Sequence, residues 1–313
     1  MMEGRHFHSA SPRTRSGMTK EDKAKDLPQP TATRTSAKVT VTRFAPSPTG
    51  RLHLGHAYSA ILAHDFARTH DGRFLLRIED IDGTRSRPEH VATIRDDLAW
   101  LGLEWDGDVV HQSQRLPAYA AALDRLREVG LLYRCYCTRA EIAAASLSAP
   151  HGAEPLYPGT CRNRRGDPGQ PHCWRLDMAA AVARAGPLTW TDHGQEIPAD
   201  PLAAGDVVLA RKDAPASYHL AVTIDDAWQG ITDVVRGRDL FDATHVHRLL
   251  QALLGLPTPH YHHHDLLTGP DGNRLAKRHG APTLAALREA GTDGRTIAAE
   301  LRAGRVPNHP AST

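Results

Sequence analysis

No apolar run in this 313-residue chain approaches the roughly 18 residues that a membrane-spanning helix needs, so a helical membrane protein is excluded. The N-terminus carries charge where a secretory signal needs an apolar stretch, and a cytoplasmic location with no membrane partner is expected. An excess of one charge is lacking too. The formal net charge is +2, but residues 1–38 hold eight Lys/Arg against four acids, which leaves the rest of the chain at −2. A nucleic-acid partner must then be met by a local basic surface, because overall charge offers no attraction. Cysteine is scarce: all four lie between Cys135 and Cys173, which fits a metal site in a reduced compartment better than a disulfide framework. Large apolar residues are almost missing from 1–38, so that stretch cannot offset the entropy of ordering and is expected to be a disordered tail, with Met18 a second candidate start. Internal repeats are missing as well.

What is present is enough chain for one large domain or two smaller ones. Val39, Val41 and Phe44 alternate with polar residues as in a strand. A Pro/Gly-punctuated loop over 45–50 leads into a helix pattern over 54–68, and 73–79 is a short apolar run that suits a second, buried strand. Strand, loop, helix, strand is a parallel βαβ unit, the element of a doubly wound α/β sheet. Helix patterns continue at 88–101 and 116–129, strand-like runs return at 206–211 and 218–224, and a helix is expected around 242–254. Leu284, Leu287, Ile297 and Leu301 fall on closing helices. The expected division is a tail (1–38), the first half of a nucleotide-binding catalytic domain (39–133), an inserted module (134–205), the second half (206–280) and a short helical C-terminal segment (281–313).

At the first strand-to-helix junction stands Phe44-Ala-Pro-Ser-Pro-Thr-Gly-Arg-Leu-His-Leu-Gly-His56. Ligands of open α/β sheets bind at the carboxyl ends of strands, where helix N-termini present N–H groups and a positive dipole end to phosphates. His53 and His56, spaced i and i+3, share one face there, and Gly55 between them lets a flat ring approach the backbone. Two imidazoles so placed can donate to a phosphorus centre as charge builds in an in-line displacement. In isolation such a pair reads as two surface histidines at a helix cap; the residues around it decide otherwise.

This segment resembles the HIGH motif of class I aminoacyl-tRNA synthetases, with His53-Leu-Gly-His56 as the tetrapeptide, and Arg43-Phe-Ala-Pro-Ser-Pro-Thr-Gly50 takes the form of the glutamyl and glutaminyl branch. The resemblance spans about 42–278. It implies a class I nucleotide-binding fold, with ATP held at His53, Gly55 and His56. It also implies a second motif, KMSKS, whose lysines meet the triphosphate as pyrophosphate leaves; the matching stretch is Arg274-Leu-Ala-Lys277-Arg278, with Lys277 catalytic beside the two histidines. Arg274 replaces the first lysine and keeps its charge, and Ala276 replaces the serine. For L-glutamate the family match selects Arg43 with its loop neighbours Phe44, Ala45, Pro46 and Ser47, then Glu79 for the ammonium group, Tyr218 for a hydroxyl, and Arg236. Arginine suits the carboxylates because its planar fork binds them at two points. Asp80 and Asp82 are read as loop supports, with Mg²⁺ arriving on ATP.

Cys135-Tyr-Cys137 is followed by Tyr157-Pro-Gly-Thr-Cys161, and three thiolates in 27 residues suit zinc, which takes four tetrahedral ligands. His151, His172 or Cys173 are further candidates for the fourth place, and a metal-free cluster is an alternative. The C-x-C…Y-x-x-x-C order is similar to that of the glutamyl-queuosine tRNA(Asp) synthetases, which implies Cys135, Cys137, Tyr157 and Cys161 around one structural Zn²⁺. Only 36 residues follow Lys277, and the large anticodon-binding region of glutamyl-tRNA synthetases is not among them. The resemblance then implies tRNA-independent activation of glutamate by a monomer, followed by transfer to the queuosine base of tRNA(Asp). The competing readings are a shortened glutamyl-tRNA synthetase charging a 3′ end, and a catalytically silent nucleotide-binding paralogue.

Overall fold

The computed structural model describes residue 1 and residues 39–138, 140–142, 156–164, 166–167, 169–268 and 282–307. The expected tail and the Arg274–Arg278 motif, Lys277 included, lie outside these. The strands are β1 (Val41–Phe44), β2 (Arg73–Ile78), β3 (Val110–His111), β4 (Leu132–Cys135), β5 (Cys173–Leu176), β6 (Thr189–Asp192), β7 (Gln195–Pro198), β8 (Val208–Ala210), β9 (Asp233–Gly237) and β10 (His260–His264). The longer helices are α1 (Leu54–Thr69), α2 (Pro88–Trp100), α3 (Leu116–Glu128), α4 (Met178–Ala185), α5 (Tyr218–Trp228), α6 (Phe241–Leu254), α7 (Leu284–Glu289) and α8 (Gly294–Arg302).

β1, α1 and β2 form the expected parallel unit, with Val41 opposite Arg73 and Phe44 opposite Leu76. Gly72 makes the return possible, since a Cβ there would stand 2.3 Å from the Thr40 carbonyl oxygen. β2 continues in parallel to β3. On the other side of β1, Thr232 N donates to Val41 O at 3.0 Å and Val41 N to Thr232 Oγ1 at 2.7 Å. This seats β9 beside β1, and β10 runs parallel to both β9 and β6. The strand order therefore reverses between β1 and β9, the switch point where doubly wound sheets bind ligands.

Both faces of the sheet are covered, which is why β1 and β2 do not alternate. All four residues of β1 are buried, while Val39 stays outside the strand and exposed. Phe74, Leu76 and Ile78 pack with α1, α2 and the closing helices through Leu54, Ile61, Leu98, Leu284 and Leu301. Leu75 joins Val41, Trp190, Val234 and Tyr261 on the opposite face.

One expectation changes. The 218–224 run, read as strand, is the start of α5: Ser217 caps it, its hydroxyl accepting from Leu220 N, and the following strand is β9. Leu220, Ala221, Val222 and Thr223 are all buried, so the helix has no polar stripe to reveal its period. The stretch 134–205, expected as an inserted module, contributes strands to two sheets. Its β5 pairs with β4 and β8 in an antiparallel sheet that takes strands from both of its borders, whereas its hairpin β6–β7 joins the main sheet with Asp192 opposite Tyr261. Among the described residues no helix is long and apolar enough to cross a membrane.

Candidate active site

A cavity of about 390 Å³ opens at the switch point. Every sequence-selected residue for glutamate and ATP that the structure describes lines it: Arg43, Phe44, Ala45, Pro46, Ser47, His53, Gly55, His56, Glu79, Tyr218 and Arg236.

The helix start is built from the histidines themselves. Gly55 N donates to His53 Nδ1 at 3.1 Å and His53 N donates to His56 Nδ1 at 3.3 Å, a reciprocal capping box at the N-terminus of α1. Because both Nδ1 atoms accept, each neutral ring carries its proton on Nε2. The ring centroids are 3.8 Å apart, so the two act as one unit.

At the inner end, residue parity puts Arg77 and Arg43 on the face where Val41 and Leu75 pack with Val234, two residues before Arg236 of β9, so the three arginines share that face. Asp226 of α5 comes down on that face. Its carboxylate takes Arg43 Nε at 3.0 Å, Arg43 Nη2 at 3.3 Å and Arg77 Nη1 at 2.8 Å, and those cations hold it below the usual carboxylate range despite burial. Glu79 fares differently. Its nearest cation, Arg77 Nη2, stands at 3.5 Å, and burial pushes its carboxyl up to about 7 against the pull of Arg77 and Arg43. The cluster thus contains one well-compensated carboxylate and one that lacks a close cation.

Arg236 is fixed from behind. It donates Nε to His263 Nε2 (3.1 Å), Nη2 to Thr244 Oγ1 (2.6 Å) and Leu240 O (3.1 Å), and Nη1 to the Tyr218 hydroxyl (3.3 Å). His263 Nδ1 contacts Asp192 Oδ1 at 2.9 Å, so its Nε2 is free of a proton and accepts. Burial and the Arg236 charge keep this ring neutral, with its pKa down to about 4.

Lys277 is outside the described residues, but both flanks of its segment reach the cavity: Leu266 and Leu267 line it, and Thr283 pairs with His53 while Leu284 N donates to Leu52 O at 2.9 Å. Asp80 and Asp82 are occupied by the chain. Asp80 accepts from Ser113 N and Oγ, both at 2.8 Å, and Asp82 from Thr84, Arg85 and Arg211.

The Sγ atoms of Cys135, Cys137 and Cys161 lie within 4.8 Å of one another, with Cys137 and Cys161 at 3.5 Å. The Tyr157 hydroxyl is 3.4 Å from Cys135 Sγ and 3.7 Å from Cys137 Sγ, and accepts from Cys161 N at 2.8 Å. A tetrahedron with zinc–sulfur bonds of ~2.3 Å has edges of ~3.8 Å, so this donor set fits one zinc. Cys173 and His172 are not in the cluster, and His151 lies outside the described residues.

A family model described as tRNA synthetases class I (E and Q), catalytic domain, matches residues 38–302. The chain belongs to this synthetase family. A protein of Rhodobacter capsulatus named glutamyl-Q tRNA(Asp) synthetase is 52% identical over 274 residues, covering 82% of this chain and 98% of that one. Proteins of the same name from Symbiobacterium thermophilum and Nocardia farcinica are each 47% identical, covering 83% of this chain and 84% and 82% of theirs. Among solved structures, a glutamate-tRNA synthetase from Elizabethkingia anophelis superposes with a TM-score of 0.66 at 28% identity, covering 77% of this chain and 53% of its own. The synthetase described here therefore spans about half the length of that enzyme.

Motif reading did not find the residues behind the site: Arg77, Asp226, Asp192, His263 and Thr244. One signal was present. The 218–228 stretch is mostly apolar and Asp225 and Asp226 are its only charged residues, and acids set in such a run call for partners. Asp225 is satisfied by Gln112, Arg115 and Tyr119, which tie α3 to α5.

Proposed function

We propose that this synthetase activates L-glutamate with ATP and passes the glutamyl group to the queuosine base of tRNA(Asp). The observation that carries the reading is the inner end of the cavity, where Arg43 and Arg236 on adjacent strands and the undercompensated Glu79 match the two carboxylates and the ammonium group of glutamate. The name shared by relatives of which it covers 98% and 84% supplies the acceptor.

In the first step the α-carboxylate attacks the α-phosphorus of ATP, and pyrophosphate leaves. Nε2–H of His53 and His56 and the ammonium of Lys277 meet the charge that grows on the phosphoryl oxygens and the leaving group. Arg236, locked by four hydrogen bonds, and Arg43, locked by Asp226, hold glutamate without reorganising. In the second step a hydroxyl of the queuosine ring attacks the glutamyl carbonyl, an ester forms and AMP departs. Mg²⁺ accompanies ATP, where it neutralises phosphate charge. Cys135, Cys137, Tyr157 and Cys161 hold a structural zinc, since four protein ligands leave no open position for water.

The test is glutamylation of tRNA(Asp) with and without queuosine, alongside glutamate-dependent ATP–pyrophosphate exchange in the absence of tRNA. Exchange without tRNA, with labelling only of the queuosine form, is expected. Labelling of unmodified tRNA(Glu) instead would identify a 3′-charging enzyme, and no exchange at all would identify a silent paralogue.

A further inference from the structure

Outside the β4–β5–β8 sheet, beside the cysteine cluster, lies a second concavity of about 510 Å³ that the adenylation chemistry does not use. Three guanidiniums line it, from Arg127, Arg134 and Arg164, together with the rings of Tyr136 and Trp174, and no carboxylate is among its described lining residues. Arg134 and Trp174 face each other across the β4–β5 register, with the guanidinium carbon 5.0 Å from the indole centroid. Arg127 lies 6.0 Å from the same ring and Arg164 5.9 Å from the Tyr136 ring. His172 sits between the two aromatics, its centroid 5.8 Å from Tyr136 and 5.1 Å from Trp174.

Charge balance is incomplete here. Arg127 pairs with Asp124 at 2.9 Å, but Arg134 and Arg164 make no ion pair among the described residues, and Arg134 Nε is buried with no hydrogen-bond partner. A buried guanidinium nitrogen without an acceptor costs free energy that an incoming anion would recover. Gly166 shapes the floor. A Cβ there would stand 2.3 Å from Tyr136 Cε2, so only glycine lets that backbone lie against the ring.

We propose that this groove binds single-stranded RNA, with phosphates on Arg134 and Arg164 and a base stacked against Trp174, whose ring is only half-buried, while the buried Tyr136 forms the wall. Cations beside a part-exposed indole are the chemistry of unpaired nucleic-acid strands; a free phosphate needs no ring, and duplex RNA hides its base faces. The net charge of −2 beyond residue 38 makes such a local surface necessary for any RNA partner. The groove reaches the catalytic domain through Lys212, whose Nζ donates to Tyr136 O at 2.9 Å, next to Arg211, which contacts Asp82 beyond β2. Its assignment as part of the tRNA site rests on the function proposed above, whereas RNA binding itself does not.

The experiment compares the full-length protein with Arg164→Gln and with Arg134→Gln/Arg164→Gln, using a fluorescein-labelled 12-nucleotide single-stranded RNA and queuosine-containing tRNA(Asp). The double variant is expected to bind the oligonucleotide about tenfold more weakly, with a salt slope shallower by about 1.4, as for two lost phosphate contacts on a single strand. Its KM for tRNA(Asp) rises by a similar factor, while glutamate-dependent ATP–pyrophosphate exchange without tRNA stays at the wild-type rate. Unchanged oligonucleotide affinity and salt slope in both variants would overturn the groove. An oligonucleotide defect in a protein whose wild type fails to glutamylate tRNA(Asp) would keep the groove and remove the function proposed above. Loss of exchange in the double variant would report misfolding, and the exposed Arg164→Gln variant then decides the matter by its oligonucleotide affinity and salt slope.

Discussion

Glu79 and Asp226 sit within one arginine cluster and titrate in opposite directions, because Asp226 takes three short contacts while Glu79 has one long one. Burial raises the Glu79 carboxyl from its ordinary 4.5 to about 7. A carboxyl whose folded pKa is raised binds a proton on folding, so the free protein loses stability as pH climbs from about 4.5 to about 7, by up to about 3 kcal/mol. Glu79→Gln should therefore raise Tm at pH 8 but not at pH 5 while abolishing glutamate-dependent exchange; a variant less stable than wild type at pH 8 would mean that Glu79 already has its cation. In wild type, KM for glutamate should rise as pH falls below about 7, because the protonated carboxyl cannot pair with the ammonium group. His263 belongs to this scale as well. With alanine there, Arg236 Nε and Asp192 both lose a buried partner, and KM for glutamate should rise about tenfold with KM for ATP unchanged, as steady-state exchange kinetics would register.

Among elements, α5 is the one that sequence misassigned, and it carries Tyr218 at its first turn and Asp226 at its last. Seven apolar residues bear no period, so the chain's own Ser217 cap was the better signal than its hydrophobicity. Motifs, by contrast, were legible because their chemistry requires particular atoms: His53, His56, Glu79, Arg43 and Arg236 come from four segments and line one cavity. The counter-charges escaped notice because a supporting carboxylate needs only proximity, and proximity across α5 and β1 has no sequence spacing. Asp226→Asn leaves Arg43 and Arg77 without their shared anion and should destabilise the fold by about 3–5 kcal/mol in urea unfolding. A cost below about 1 kcal/mol would mean that solvent compensates those cations.

For the whole molecule, the cysteine cluster, the β4–β5–β8 sheet and the arginine groove lie together, so loss of the proposed zinc should be felt at the proposed RNA groove before the proposed adenylation site. Treating the protein with a strong zinc chelator is expected to lower Tm and weaken oligonucleotide binding while sparing most tRNA-independent exchange. Equal loss of both activities would show that the module and the sheet unfold together. The far end of the chain has the opposite bearing. Thr283 and Leu284 clasp Leu52 and His53, and the helices behind them bury Leu287, Ile297 and Leu301 against α1. A gene trimmed from its 3′ side would thus produce an inactive protein well before any codon for a substrate-touching residue in β9 or earlier was removed, and tags or fusion partners should be attached at the opposite end.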